Sequence, residues 1–280
     1  MRGLGWSRMW MRPLGSLFLI VAIACLALLA ASEWTIRRGH EAALRPVPVP
    51  HDAASVAEGA RLATLVGCRS CHGEGKGAVW TPVDWTFGQI APPALARTAA
   101  GYSDAEFARL IRHGLRKDGS SVFIMPAWSM ANLADDDVGR IIAWVRTLKP
   151  ASDDVIASTW FGPLGRWQIV TGALRPSFEV GDVGPPARPA DPGRYFTLAL
   201  CSECHKLQEA QVHDGNKVPA LAPVAASYSL PDFQRLLHTG VGAGGRDSGF
   251  MGTIAKENLH ALSDSEIAVI HAYLSKEAKP

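Results

Sequence analysis

Two short strings constrain this 280-residue chain more than anything else in it: CRSCH at Cys68–His72 and CSECH at Cys201–His205. Each crowds two thiols and an imidazole into little more than one helical turn. Whatever they hold must satisfy the same chemistry twice. Three chemistries use such a string: a zinc site, a redox disulfide and covalent haem attachment. Only one further cysteine, Cys25, lies outside the two strings.

The residues around the strings form a repeat. PALARTAAGYSDAEFARLI from Pro93 aligns with PALAPVAASYSLPDFQRLL from Pro219 at an offset of 126, without a gap. The same offset pairs Tyr102 with Tyr228, Phe107 with Phe233, Arg109 with Arg235, Gly114 with Gly240, and Met125 with Met251. In each half an amphipathic stretch precedes the string. Ser55 and Glu58 read as a capping box for the first, and Asp191 with Pro192 as cap and first helical residue for the second. A short helix and a glycine-rich loop ending at the methionine follow. Each half closes on a helix, with Val138, Ile141, Ile142 and Val145 along one face in the first. Ile267, Ile270 and Leu274 do the same in the second, behind a capping box at Ser263 and Glu266. No alternating pattern of useful length marks a strand.

Arg2, Arg8 and Arg12 precede the uncharged run Leu14–Ala31, which as a helix spans roughly 27 Å, close to a bilayer core. The arginines favour a cytoplasmic N-terminus, sending the rest of the chain outward. Trp34, Arg37 and Arg38 suit an interfacial anchor. Cleavage after the small residues before Glu33, or lipid attachment at Cys25, are the rival readings. The expected organisation is all-α: a membrane anchor (or uncleaved signal) over 1–33, an extended tether over 34–51, helical domains over 52–150 and 189–280, and a connection over 151–188. That connection either packs against both domains or presents a patch of Trp160, Phe161 and Trp167 to a membrane or partner. A formal charge of +2 gives no reason to expect nucleic acid as a partner.

Zinc requires four ligands where each string supplies three, and the strings stand 133 residues apart in halves that look self-sufficient. Exported thiols also face oxidation, and a disulfide inside CxxC would close almost no loop. Covalent attachment of a c-type haem fits best. Two thiols bond one porphyrin's vinyl groups and the adjacent histidine, His72 or His205, ligates iron. Cys68, Cys71, Cys201 and Cys204 are the attachment candidates. Met125 and Met251, matched across the repeat, are candidates for the opposite axial position. Met130 has no counterpart and reads as packing or loop. His113 and His238 fall one column apart and read as surface residues, as do His40, His51, His213, His260 and His271. Pro93 and Pro219 stiffen the loops after the strings; each is either an ordinary turn proline or the supplier of a carbonyl that orients the histidine.

On these motifs the chain resembles the two-domain, diheme class I cytochromes c. YSDAEFARLIRHGLRKDG and MPAWSMANLADDDVGRIIAWVRTL resemble the haem-bearing subunits of membrane-bound bacterial dehydrogenases. In that family the methionine of Met-Pro is the distal ligand, which implies Met125; Gly252 follows Met251, so that signature is missing from the second half. Those subunits usually carry three haems, against two strings here. The resemblance implies a periplasm-facing electron carrier with two covalent haems. Its partners would be a dehydrogenase, a quinol-oxidising complex or a terminal oxidase. A diheme peroxidase-like enzyme, a cytochrome subunit of an oxidase complex and a gas-binding sensor are the alternatives.

Overall fold

The computed structural model describes residues 5–80, 84–178, 184–185, 187–213 and 215–278, with backbone alone for 5–14. It is mostly helical. A first helix, α1 (Gly5–Arg37), carries an apolar stretch over Gly15–Arg37 long enough to cross a membrane by length and composition. The start of the expected tether, Trp34 to Arg37, is therefore helical. The rest of the tether is extended but docked rather than free. The His40 amide donates to the Gly119 carbonyl, and Arg45 pairs with Asp135. Pro48 lies so near Gly139 that a Cβ there would sit 1.7 Å from its carbonyl oxygen.

The first domain comprises α2 (Ala53–Leu65), α3 (Cys68–Cys71), α4 (Leu95–Ala99), α5 (Asp104–His113), α6 (Ala127–Met130) and α7 (Asp135–Thr147). The cap of α2 differs from the sequence expectation. The helix starts earlier, and Asp52 accepts from the Ser55 amide. Glu58, freed from capping, binds Arg61 and Arg188 instead. Gly59 lets α2 cross α7 closely, its missing Cβ falling 1.9 Å from the Arg140 carbonyl oxygen.

The connection carries α8 (Pro163–Thr171) and a strand, Trp160–Phe161, which pairs antiparallel with Gly88–Gln89. Within this segment the aromatic residues divide. Phe161 is buried against Ile90 and Ile169, whereas Trp160 and Trp167 stay exposed. The second domain comprises α9 (Pro192–Phe196), a π-helical turn over Thr197–Cys201, α10 (Leu221–Ala226), α11 (Leu230–Thr239), α12 (Phe250–Glu257) and α13 (Asp264–Glu277). A ribbon of Gln211–His213 with Asn216–Val218 is added. Strands of two or three residues are too short to leave an alternating pattern.

The repeat is visible bond by bond. Ser103 caps α5 and Ser229 caps α11, each accepting from the amide three residues on. Gly114 and Gly240 end these helices at φ +63° and +74°, where the left-handed turn favours glycine. Tyr102 stands edge-on to Phe107 at 6.1 Å and Tyr228 to Phe233 at 6.4 Å. The Lys117 and Ala243 amides, again 126 apart, donate to those tyrosine hydroxyls.

One apolar core runs through both domains, from Leu62 and Ile142 to Ile267 and Leu274. Tyr195 of α9 crosses into the first domain, donating to Asp137 Oδ2 at 2.6 Å and accepting from the Ala134 amide. Arg188 bridges Glu58 and Asp137, and Arg61 reaches Glu266. Polar bonds, buried at Tyr195–Asp137 and half-buried at Arg61 and Arg188, fix the domains to each other beside a shared core.

Candidate functional site

Gly67, at φ +76°, turns the chain from α2 directly into α3 and sets both cysteines along one helical turn. Cys68, Cys71, His72 and Met125 then line a single cavity of about 630 Å³. Its walls are apolar: Leu95 from α4, Phe107, Leu110 and Ile111 from α5, and Ile141 and Val145 from α7. The size falls within the roughly 300–1,000 Å³ common for cofactor sites. Met125 enters between two constrained residues. Ile124 has φ +72°, a backbone strain unusual for a branched residue, and Pro126 follows.

His72 donates from Nδ1 to the Pro93 carbonyl at 2.8 Å, and His205 to the Pro219 carbonyl at 3.0 Å. Both prolines thus supply carbonyls. Burial holds each imidazole below its ordinary pKa, the proline carbonyl opposing it, so each ring is neutral with its remaining lone pair on Nε2. Burial also pushes the thiols up, Cys68 and Cys201 to about 12 and Cys71 to about 11. They are neutral thiols in an apolar wall. Among the described residues none is in a disulfide, and no three His, Cys, Asp or Glu side chains converge as an ion site of their own. Two thiols, one neutral imidazole and one thioether around an apolar cavity fit a porphyrin that brings its own metal.

In the second half Cys201, Tyr228 and Met251 pack against the core at corresponding places. The methionine differs in setting. Met251 lies in the first turn of α12 rather than at the end of a loop. Gly252, the break from Met-Pro, has a packing reason. A Cβ on Gly252 would lie 3.1 Å from the Gly240 carbonyl oxygen and 3.2 Å from Asp247 Oδ1, because two backbones approach closely there.

Other candidates fall where their packing puts them. Met130 is buried in the core and adds to the first cavity's wall. His238 is half-buried rather than a plain surface residue, bonded to Asp264 at 3.0 Å and to the His260 carbonyl. Arg112, in its alignment column, makes the corresponding clamp to Asp135 and the Leu133 carbonyl. His40 and His271 also depart from the surface reading. His40 packs its ring 4.2 Å from Phe178, and His271 bonds the Tyr228 carbonyl at 2.9 Å. Two residues carried no signal. Trp80 Nε1 donates to the Cys71 carbonyl at 3.0 Å and Gln211 Nε2 to the Cys204 carbonyl at 2.7 Å. They do one job with different side chains at different spacings. Cys71 and Cys204 both face a cleft of about 1590 Å³ between the domains, across which Ser70 donates to Asn258.

This geometry defines a class: tandem helical domains, each built around a CxxCH turn whose histidine is held by a proline carbonyl. Residues 54–145 match the family model described as cytochrome c oxidase, cbb3-type, subunit III, and residues 190–277 match cytochrome c. The chain therefore holds two cytochrome c-type domains, and with them two covalently attached c-type haems. It is 25% identical over 263 residues to the fructose dehydrogenase cytochrome subunit of Gluconobacter japonicus, covering 82% of this chain and 54% of that protein. The gluconate 2-dehydrogenase cytochrome c subunit of Pantoea cypripedii is 25% identical, with 79% and 59% covered. The cytochrome c subunit of the quinone alcohol dehydrogenase of Gluconacetobacter polyoxogenes is 27% identical, with 55% and 36% covered. The chain spans about a third to three fifths of these relatives' lengths.

Proposed function

We propose that the chain is a membrane-anchored, periplasm-facing diheme cytochrome c that passes electrons from a dehydrogenase or quinol-oxidising partner to a terminal acceptor. Cys68 and Cys71 would hold the first haem covalently, with His72 and Met125 to ligate its iron. Cys201 and Cys204 would hold the second, with His205 and Met251. The observation that carries the reading is the duplicated geometry: in both halves a neutral histidine beside the CxxCH turn gives Nδ1–H to a proline carbonyl. That bond fixes the ring and leaves Nε2 for iron. A bound haem supplies reversible one-electron chemistry. The chain's own residues exclude water, orient the imidazoles and hold the two attachment turns on one cleft. The similarity to dehydrogenase cytochrome subunits supports the donor class, and the apolar stretch of α1 behind its arginines supports the anchor and its orientation.

A cytochrome subunit of an oxidase complex is the second reading, favoured by the family description matched over residues 54–145. The relatives that cover most of the chain are dehydrogenase subunits, which tips the balance. Purification from detergent-solubilised membranes tests the choice: a dehydrogenase is expected to accompany the chain, and an oxidase core in its place overturns the donor assignment. Two low-spin spectra, with no carbon monoxide binding to the reduced protein, are expected. A high-spin or gas-binding haem would instead favour a peroxidase-like enzyme or a sensor.

A further inference from the structure

α8 presents an unusual outer face. Its inner side is Gly165 and Ile169, packed on the protein; its outer side is Pro163, Leu164, Trp167, Val170 and Thr171, without a charge. Leu164, Trp167 and Val170 are 46%, 57% and 42% exposed. Two more bare tryptophans lie on segments bonded to it, Trp85 at 75% exposed in the loop at its start and Trp34 at 72% on α1. The Leu164 amide donates to the Thr86 carbonyl, which places Trp85 beside the start of α8. Arg166 bonds Ser32 Oγ at 2.9 Å and Glu33 at 2.7 Å, which pins α8 to the last turns of α1. There the uncovered apolar flank of α1, from Leu17 to Leu29, gives way to Glu33, Arg37 and Arg38.

We propose that the outer face of α8, with Trp34 and Trp85, rests in the headgroup layer of a lipid bilayer, as an interfacial shelf beside the anchor. This rests on the membrane-anchor reading above. A bilayer is favoured over a protein partner because the face continues the apolar flank of α1 at the height where tryptophan settles, and because it carries no charge to specify a partner. Exposed Arg37, Arg38 and Arg175 suit an anionic headgroup region beside it. The consequence concerns the first haem cavity, whose wall includes Ile36 and Arg37 of α1 together with Trp160, Phe161 and Arg166. The shelf holds that cavity against the membrane surface instead of letting it swing on a tether.

The test uses the full-length, haem-loaded chain in phosphatidylcholine–phosphatidylglycerol vesicles. In a Cys25→Ala background, nitroxides are attached singly at Leu164→Cys, Trp167→Cys, Val170→Cys, Leu26→Cys and Glu209→Cys, and a native haem spectrum is required of each. Labels on α8 are expected to meet dissolved oxygen readily and a water-soluble nickel chelate several-fold less than the label at Glu209→Cys. Nickel access on α8 equal to that at Glu209→Cys, with Leu26→Cys shielded, overturns the shelf while the anchor stands; a face reserved for a protein partner gives this result. Nickel access at Leu26→Cys as well overturns both.

Discussion

At the scale of single residues, the two methionines are matched in sequence but not in setting, and that sets the terms of their test. Met125 sits in an irregular segment between a strained Ile124 and Pro126, and Met251 in the first turn of α12. Both pack against the core, so a truncation would confuse ligation with a cavity. Leucine is close in volume, costs under about 1.5 kcal/mol in packing, and has no donor sulfur. Met251→Leu is expected to remove the weak sulfur-to-iron absorption of one haem and lower that haem's potential, because a thioether ligand raises it. Met125→Leu should do the same to the other. An unchanged band in either variant rejects that methionine as a ligand. The strings were legible because covalent attachment fixes residue types at fixed spacing, and the methionines because the two halves match them at one offset. Trp80 and Gln211 were not, since any long donor reaching the carbonyls of Cys71 and Cys204 would serve.

Among elements, legibility follows how local the cause is. The capping box at Ser263 and Glu266 and the Asp191 cap are contained within four residues and stand as read. The Ser55–Glu58 box does not, because Asp52 offers an earlier cap and two arginines, Arg61 one turn on and Arg188 far along the chain, take Glu58. The glycine at 252 was likewise opaque: its cause is the approach of α12 to the end of α11, a contact between backbones twelve residues apart. Gly240→Ala therefore does two kinds of damage. It forces a Cβ into a left-handed turn at φ +74°, worth about 1 kcal/mol on its own, and drives that Cβ to 2.6 Å from the Gly252 carbonyl oxygen. Denaturant unfolding should show a loss above that figure, and the Met251 absorption should weaken while the Met125 absorption stays. Gly172→Ala supplies the control. It has a similar positive φ, +77°, and nothing within 4 Å of the added Cβ, so it should cost only the backbone strain and alter neither band.

For the whole molecule, the repeat does not yield two independent beads, because the second domain's Tyr195 and the linker's Arg188 complete the first domain's Asp137 site. Tyr195→Phe leaves that fully buried carboxylate one donor short, a loss of about 1–3 kcal/mol in a melting or denaturant experiment. The rim of the same interface titrates. The Arg61 guanidinium, with Arg188, holds Glu58 down from 4.5 to about 2. Burial works most strongly to raise Glu266, but its bonds to Arg61 and to the Ser263 amide together outweigh this and hold it below its ordinary value. Carboxylates with depressed pKa values stabilise the folded state above their unfolded value, and lose that contribution as pH falls through the folded one. Docking of the two domains should therefore be insensitive to pH above about 4.5 and weaken progressively towards pH 2. Glu266→Gln removes one of these charges, so its melting temperature should start lower at neutral pH and fall less steeply on acidification than that of the parent chain. Parallel curves would show that the Arg61–Glu266 bond, which alone joins α2 to the cap of α13 by charge among the described residues, contributes nothing to holding the domains together. The acid loss would then have to come from Glu58 and its link to Arg188.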